Sequence, residues 1–411
     1  MNDAFKKIYQ SSFRLLMSIS KLLLKNLPLK GLLRIRNILI LVLIYFAIVV
    51  FIILTYIEIP YNYNKGAVTM ALYGTQNRIG ESLLYDRLKV AAKKNGWNVI
   101  GVCLPEKFGS HFIATRHFYV FAENIVNWFY KPKFNLHTTH FVNTTPYGYN
   151  IMYMNIPYDS IINPKGNFET SVEHLAYYDA YIDINSILHG TNPKLLHALY
   201  LHGNEKAPIL PIYFAQHYVP YSPSKREQLL VVGSLWGCNR CSLRIFNVLQ
   251  KLATENMLVA YGHKYAFELL GSAYKGRIEE HTGKNSEKVN SLFNIQKKYG
   301  ISLVLHNLDH IIDGIPTNRI VESVAAGSIV ISDNHPFIKK YFGNTVLYFD
   351  AFAQPDEMYD QIRNHVQWIR NNPEEAEKKA KAAYDIFNEH FTMEKALHKV
   401  NDFVDKNGSI A

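Results

Sequence analysis

Twenty consecutive residues, Ile38 to Ile57, carry no charge, and only Tyr45, Thr55 and Tyr56 among them have a polar group. A helix of that length spans about 30 Å, the thickness of a bilayer's hydrocarbon core, so residues 37–57 are expected to form one N-terminal transmembrane helix. Beyond it the pattern changes to short apolar runs separated by turns. Residues 58–66 read as a linker. Ala67 to Tyr73 is a candidate strand, Gly74 to Gly80 a loop, and Glu81 to Asn95 a helix with Leu83, Leu84, Leu88 and Val90 at helical spacing. A strand over Trp97 to Cys103 follows. Strand, loop, helix, strand implies a right-handed crossover and a parallel sheet. Ala180–Ile184 and Pro208–Phe214 read as later strands of that sheet, with a helix over Pro193–His202. Residues 105–178 show no pattern that places strands.

The segment Tyr218-Val-Pro-Tyr-Ser-Pro-Ser-Lys225 is rich in turn formers and marks a boundary. A second series starts behind it. Gln228–Gly233 is a strand entering the loop Ser234–Arg240, then come a helix over Ser242–Glu255 and a strand over Met257–Tyr261. Further strands fall at Ile301–Leu305 and Ile329–Ile331, and helices near 355–370 and 373–388. The expected architecture is α/β, with two Rossmann-like, doubly wound domains facing a cleft. They cover residues 67–220 and 225–411. Ligands of such sheets bind outside the carboxyl ends of the strands, where Gly233-Ser234 and His306-Asn307 fall.

Charge changes the picture in one respect. The chain has 411 residues and a net charge of +10, which invites a nucleic-acid partner. Residues 1–36 hold eight basic side chains and one acid, so this N-terminal arm carries most of the excess. The globular part is nearly balanced, and no nucleic-acid partner is expected. A basic arm ahead of an apolar span predicts a cytoplasmic N-terminus and a type II, single-pass topology. Cys238 and Cys241 form a Cys-x-x-Cys pair, but Cys103 is the only other cysteine, too few for a four-ligand zinc site. His306 and His310 have the spacing of a metal pair on a helix. Their surroundings read as a loop, no Asp-x-Asp occurs, and no metal site is expected.

The candidate chemistry lies in Asp313-Gly-Ile-Pro-Thr-Asn-Arg-Ile-Val-Glu-Ser-Val-Ala-Ala-Gly327. Pro316 and Thr317 punctuate a helix start, with Thr317 as the N-cap. Free amides of Thr317, Asn318 and Arg319, beside the Arg319 guanidinium, suit a phosphate. Glu322 is three residues on, can share that face, and suits a ribose or sugar hydroxyl. Ala325, Ala326 and Gly327 are small enough to let the helix lie close on a sheet. Gly233 and Ser234 can admit a nucleotide to the backbone. Arg240 and Lys275 are candidate second cations for a diphosphate, and Asn307 a hydrogen-bond partner at a strand end. Asp183, at the end of a strand, is a candidate base on the acceptor side, as are His111 and His117.

The run Arg319-Ile-Val-Glu322-Ser-Val-Ala325-Ala-Gly327, followed by an apolar strand, resembles the donor-binding domain of GT-B glycosyltransferases related to group 1. Ser332–Gly343, Val346–Asp350 and Asn388–Thr392 are similar to later elements of that group. The resemblance implies a glycosyltransferase that takes a nucleoside-diphosphate sugar as donor, works without a tightly bound cofactor or a metal, and serves a glycan, lipid-linked saccharide or protein acceptor beside the lipid bilayer. Many group members carry a glutamate eight positions before the one matched by Glu322. Here Gly314 stands there, next to Asp313, and the stereochemical class stays open. A looser resemblance links His306-Asn307 and Thr317-Asn318-Arg319 to α1,3-fucosyltransferases, without their acidic positions. A nucleotide-sugar-binding membrane protein without catalysis is the remaining alternative.

Overall fold

The computed structural model describes residues 57–60, 62–75, 79–104, 122–138, 148–154, 175, 177–190, 192–233, 241–262, 264–277 and 288–408. The N-terminal domain holds seven strands: β1 (Ile57–Glu58), β2 (Thr69–Thr75), β3 (Asn98–Leu104), β4 (Phe134–His137), β5 (Asn150–Met154), β6 (Ala180–Asp183) and β7 (Ile209–Leu210). Their order is β1-β3-β2-β4-β5-β6-β7, parallel throughout except that β1 runs antiparallel to β3. Helix α1 (Ile79–Lys94) follows β2. It buries Leu84, Leu88, Ala91 and Ala92 on Met70, Leu72, Phe134 and Leu136. Its Tyr85 ring lies where a Cβ on Gly74 or Gly101 would collide with it, so both glycines make room for the helix.

Two expectations change at the N-terminal end. Ile57, the last residue of the expected span, and Glu58, the first of the expected linker, form an edge strand. Residues 1–56, which hold the basic arm and the rest of the span, lie outside the described residues. Among the described residues no helix is long and apolar enough to cross a membrane. The unpatterned region contains β4, β5 and a helical stretch over residues 122–130. Two helices precede β7, α2 (Ser186–His189) and α3 (Pro193–Leu201). The second starts where the Asn192 side chain accepts from the amides of Lys194 and Leu195, with Pro193 in the first turn.

The C-terminal domain is a five-stranded parallel sheet: β8 (Gln228–Gly233), β9 (Leu258–Gly262), β10 (Gly300–Val304), β11 (Ile329–Asp333) and β12 (Leu347–Phe349). The order is β12-β11-β10-β8-β9. Its helices are α4 (Cys241–Thr254), α5 (Lys264–Phe267), α6 (Lys288–Tyr299), α7 (Leu308–Asp313), α8 (Arg319–Ala325), α9 (Pro336–Phe342), α10 (Pro355–Asn371), α11 (Pro373–His390) and α12 (Met393–Asn407). In α10, Met358, Ile362, Val366 and Ile369 recur every three or four residues and are buried on the sheet.

The expected domain of residues 225–411 is not self-contained. Helix α12 packs Met393, Ala396, Leu397, Val400 and Val404 into the N-terminal core with Met70, Leu84 and Leu88. The Met393 amide donates to the Gln216 carbonyl at 3.0 Å, which fixes the return crossing. A second cluster joins the domains directly, with Met154, Tyr181, Leu195 and Tyr213 packed with Val304, Ile320, Val324 and Phe337. Gly327 adopts a positive φ of 73° and passes the linker so closely that a Cβ would lie 2.5 Å from the Ser222 carbonyl oxygen. Only glycine fits both demands there.

Candidate functional site

The strand order of the C-terminal sheet reverses between β8 and β10, so the crevice of this domain opens at their carboxyl ends. Gly233 ends β8, and a Cβ there would meet nothing within 4 Å. Ser234 and Arg240 lie outside the described residues. Lys275 follows α5 and stands at the β9 edge of the sheet. Its backbone runs beside the edge strand β9, donating to the Ala260 carbonyl, and its ammonium donates to the Ser272 carbonyl at 2.7 Å.

From β10 the chain enters His306, whose imidazole is fully buried. Its Nδ1 donates to Asp333 at 2.9 Å, its backbone amide donates to the same carboxylate at 2.7 Å, and its Nε2 lies 3.4 Å from the Thr317 hydroxyl. Asp333 ends the neighbouring β11, so adjacent strand ends build the pair. The His335 ring lies 4.2 Å from that of His306. It accepts from the Phe337 amide and donates to the His310 carbonyl, and burial, then the neighbouring His306, lowers its pKa to about 3. Burial followed by His306 also lowers His310.

One expectation fails on this loop. Residues 308–313 form a helix rather than a loop, and the Asn307 side chain caps it by accepting from the His310 amide at 2.8 Å. The cap uses the side-chain oxygen of Asn307. Gly314 ends that helix in the left-handed region at φ 68°, a conformation a glutamate would adopt only with strain. Asp313 beside it pairs with Lys194 of the N-terminal domain at 2.9 Å. Among the described residues no group of three or more His, Cys, Asp or Glu is arranged to hold a metal.

The turn at 316–319 faces the domain junction. The Tyr213 hydroxyl donates to the Thr317 carbonyl at 3.3 Å. Thr317 is not the N-cap. Helix α8 begins at Arg319 with Asn318 in that position, and no side-chain hydrogen bond caps it. The helix has seven residues, so the cationic character of the turn rests more on the Arg319 guanidinium than on the dipole. The Arg319 side chain is about one-quarter exposed (25%), while that of Glu322 is sealed at 3%.

Glu322 departs furthest from expectation. One carboxylate oxygen accepts from Nη1 of Arg319, and the other from Nη1 of Arg87 at 2.5 Å. Arg87 comes from α1 in the N-terminal domain, is 1% exposed, and also donates to the Ala215 carbonyl at 2.9 Å. Burial opposes the charge of Glu322, but the two guanidiniums outweigh it and hold its carboxyl below the usual range. The structure thus gives Glu322 two arginine partners in place of an open face for a hydroxyl. Asp183 is corrected likewise. It is fully buried and accepts from the amides of Asn185 and Ser186 and from the Ser186 hydroxyl, holding the start of α2 rather than facing an acceptor. His111 and His117 lie outside the described residues.

Sequence reasoning missed Arg87, Tyr213 and Asp333. Arg87 carried a signal: it sits on the apolar face of α1, four residues after Leu83 and one before Leu88. A charge on a buried face needs a partner.

Residues 247–402 match the family model described as glycosyl transferase-like. No curated protein matches the chain. Sucrose-phosphate synthase from Thermosynechococcus elongatus is similar in structure at 12% identity, with 84% of this chain and 100% of that one covered and a TM-score of 0.55. WaaG, a glycosyltransferase involved in lipopolysaccharide biosynthesis, aligns at 12% identity over 82% of this chain and 99% of its own, with a TM-score of 0.53. An Anabaena protein, HepE, in complex with UDP and glucose, aligns at 10% identity over 82% and 99%, with a TM-score of 0.51. At such identities the likeness is one of fold.

Proposed function

We propose that this chain is a glycosyltransferase of the GT-B type, a reading its matching segment and its fold support, and that it binds the diphosphate of a nucleoside-diphosphate sugar at Arg319. It passes the sugar to a glycan, lipid-linked saccharide or protein acceptor in the facing domain. One observation carries the reading. Arg319 is a partly exposed cation at the domain junction, and its carboxylate partner is already shared with a second arginine. As the sugar–phosphate bond breaks, negative charge grows on the diphosphate. A fixed donor there is worth about 3 kcal/mol to the transition state. The guanidinium charge can serve without a metal, and chelators are expected to leave the rate unchanged.

Residues 37–56 tether the enzyme to a bilayer in this reading, with the N-terminus cytoplasmic. A tether raises the local concentration of membrane-bound acceptors. The experiment is a panel of nucleotide-sugars added to the full chain in detergent, read by melting temperature and then by release of nucleoside diphosphate. The Anabaena neighbour holds UDP and glucose, which makes uridine donors the first to try. At least one donor is expected both to raise the melting temperature and to be consumed. A donor that binds and is never consumed, with or without membrane-extracted acceptors, would reduce the chain to a binding protein. No binding at all would remove the reading.

A further inference from the structure

We propose that Arg87 is a positioning residue of this transferase: reaching from the N-terminal domain, it neutralises Glu322 and so keeps the charge of Arg319 available to the donor's diphosphate. The inference rests on the role given to Arg319 above. Arg319 and Glu322 lie one turn apart on α8 and form an ion pair. Taken alone, that pair has no net charge, and a diphosphate would gain little from it. Arg87 on the other carboxylate oxygen returns the group to a net charge of +1. At 1% exposure its charge is weakly screened by salt. Its Nε and second terminal nitrogen have no hydrogen-bond partner among the described residues, so no second carboxylate among them is hydrogen-bonded to it.

The geometry also couples the domains. Arg87 and Glu322 are 235 positions apart in the chain, and the Arg87 contact to Ala215 ties the same guanidinium to the segment leading into the linker. The donor pocket of one domain is electrically complete only while α1 of the other is docked on it.

The test uses the full chain and titrates UDP, GDP, ADP, CDP and dTDP by calorimetry, taking the tightest binder forward. Arg87→Met should weaken it at least tenfold. Arg87→Lys, which keeps the charge, should stay within threefold. The double variant Arg87→Met with Glu322→Gln should bind at least threefold tighter than Arg87→Met alone, because no carboxylate then neutralises Arg319. Wild-type affinity in Arg87→Met, or no recovery in the double variant, would overturn the proposal, since a purely packing role predicts no rescue. Should Arg87→Met fail to fold, the lysine and double variants decide, and a loss beyond tenfold in either is contrary. Arg319→Ala separates the two levels: unchanged affinity there removes the functional reading itself, whereas weakened binding there with silent Arg87 variants removes only this inference.

Discussion

A buried carboxylate must find donors, and Asp183 finds its own in the turn that follows β6. Those bonds support a structural role for it over that of an acceptor-side base. Removing it leaves buried amides unpaired and the start of α2 without its anchor. Asp183→Ala should cost about 2 kcal/mol of stability, while turnover in the folded fraction stays within threefold of wild type. Parallel measurement of melting temperature and rate distinguishes the roles, and a rate loss of a hundredfold at unchanged stability would restore Asp183 as a base. At this scale the sequence revealed residue types better than partners. That Arg319 and Glu322 share a helix face was legible because they lie three apart on one helix. Arg87 was not, because its partner is remote in the chain and only folding brings them together. The cap at Asn307 was hidden for a related reason: a polar residue at a strand end can face a ligand or cap the next helix, and spacing alone does not choose.

Among elements, α12 is the instructive case. Its apolar positions, Met393, Ala396, Leu397, Val400 and Val404, recur every one to four residues, but such a stripe does not say which core it enters. The structure sends it into the N-terminal domain. Leu397→Ala should therefore destabilise the N-terminal domain, by about 2–5 kcal/mol, and loosen its docking on the other. Hydrogen exchange should show lost protection in α1 and β2, and loss confined to the C-terminal sheet would contradict the assignment. The strands that escaped the sequence share a cause. Every residue of β4 and β5 is buried, so neither alternates, and each carries asparagine or histidine among its apolar residues. The C-terminal strands β8, β10 and β11 were legible because they are rich in valine, leucine and isoleucine, broken only by Ser302 in β10, as a covered parallel strand requires.

At the scale of the whole molecule, acid should be the enemy of the fold. Burial lowers His137, His217 and His335 each to about 3. Above the ordinary histidine value of 6.5 both folded and unfolded chains leave them neutral, and stability does not respond. Below it the unfolded chain takes up protons that the folded one refuses until about 3, so stability falls as pH drops through that window. Each histidine contributes about 1 kcal/mol of loss by pH 5.5. Glu322 adds to this at lower pH. Its depressed pKa stabilises the folded state above the ordinary carboxylate range, and that contribution disappears as the group protonates. Denaturant melts at pH 7.5 and 5.5 check the sum, and equal stability at the two would contradict the buried, neutral placement.

The two domains, the shared core and the ion triad all converge on the turn that carries Arg319, and its role in holding a leaving diphosphate is the claim from which the rest follows. Calorimetric titration of the tightest-binding nucleoside diphosphate into Arg319→Ala tests it most directly. The account predicts affinity more than tenfold weaker than wild type at a melting temperature little changed. Wild-type affinity in that variant would contradict it.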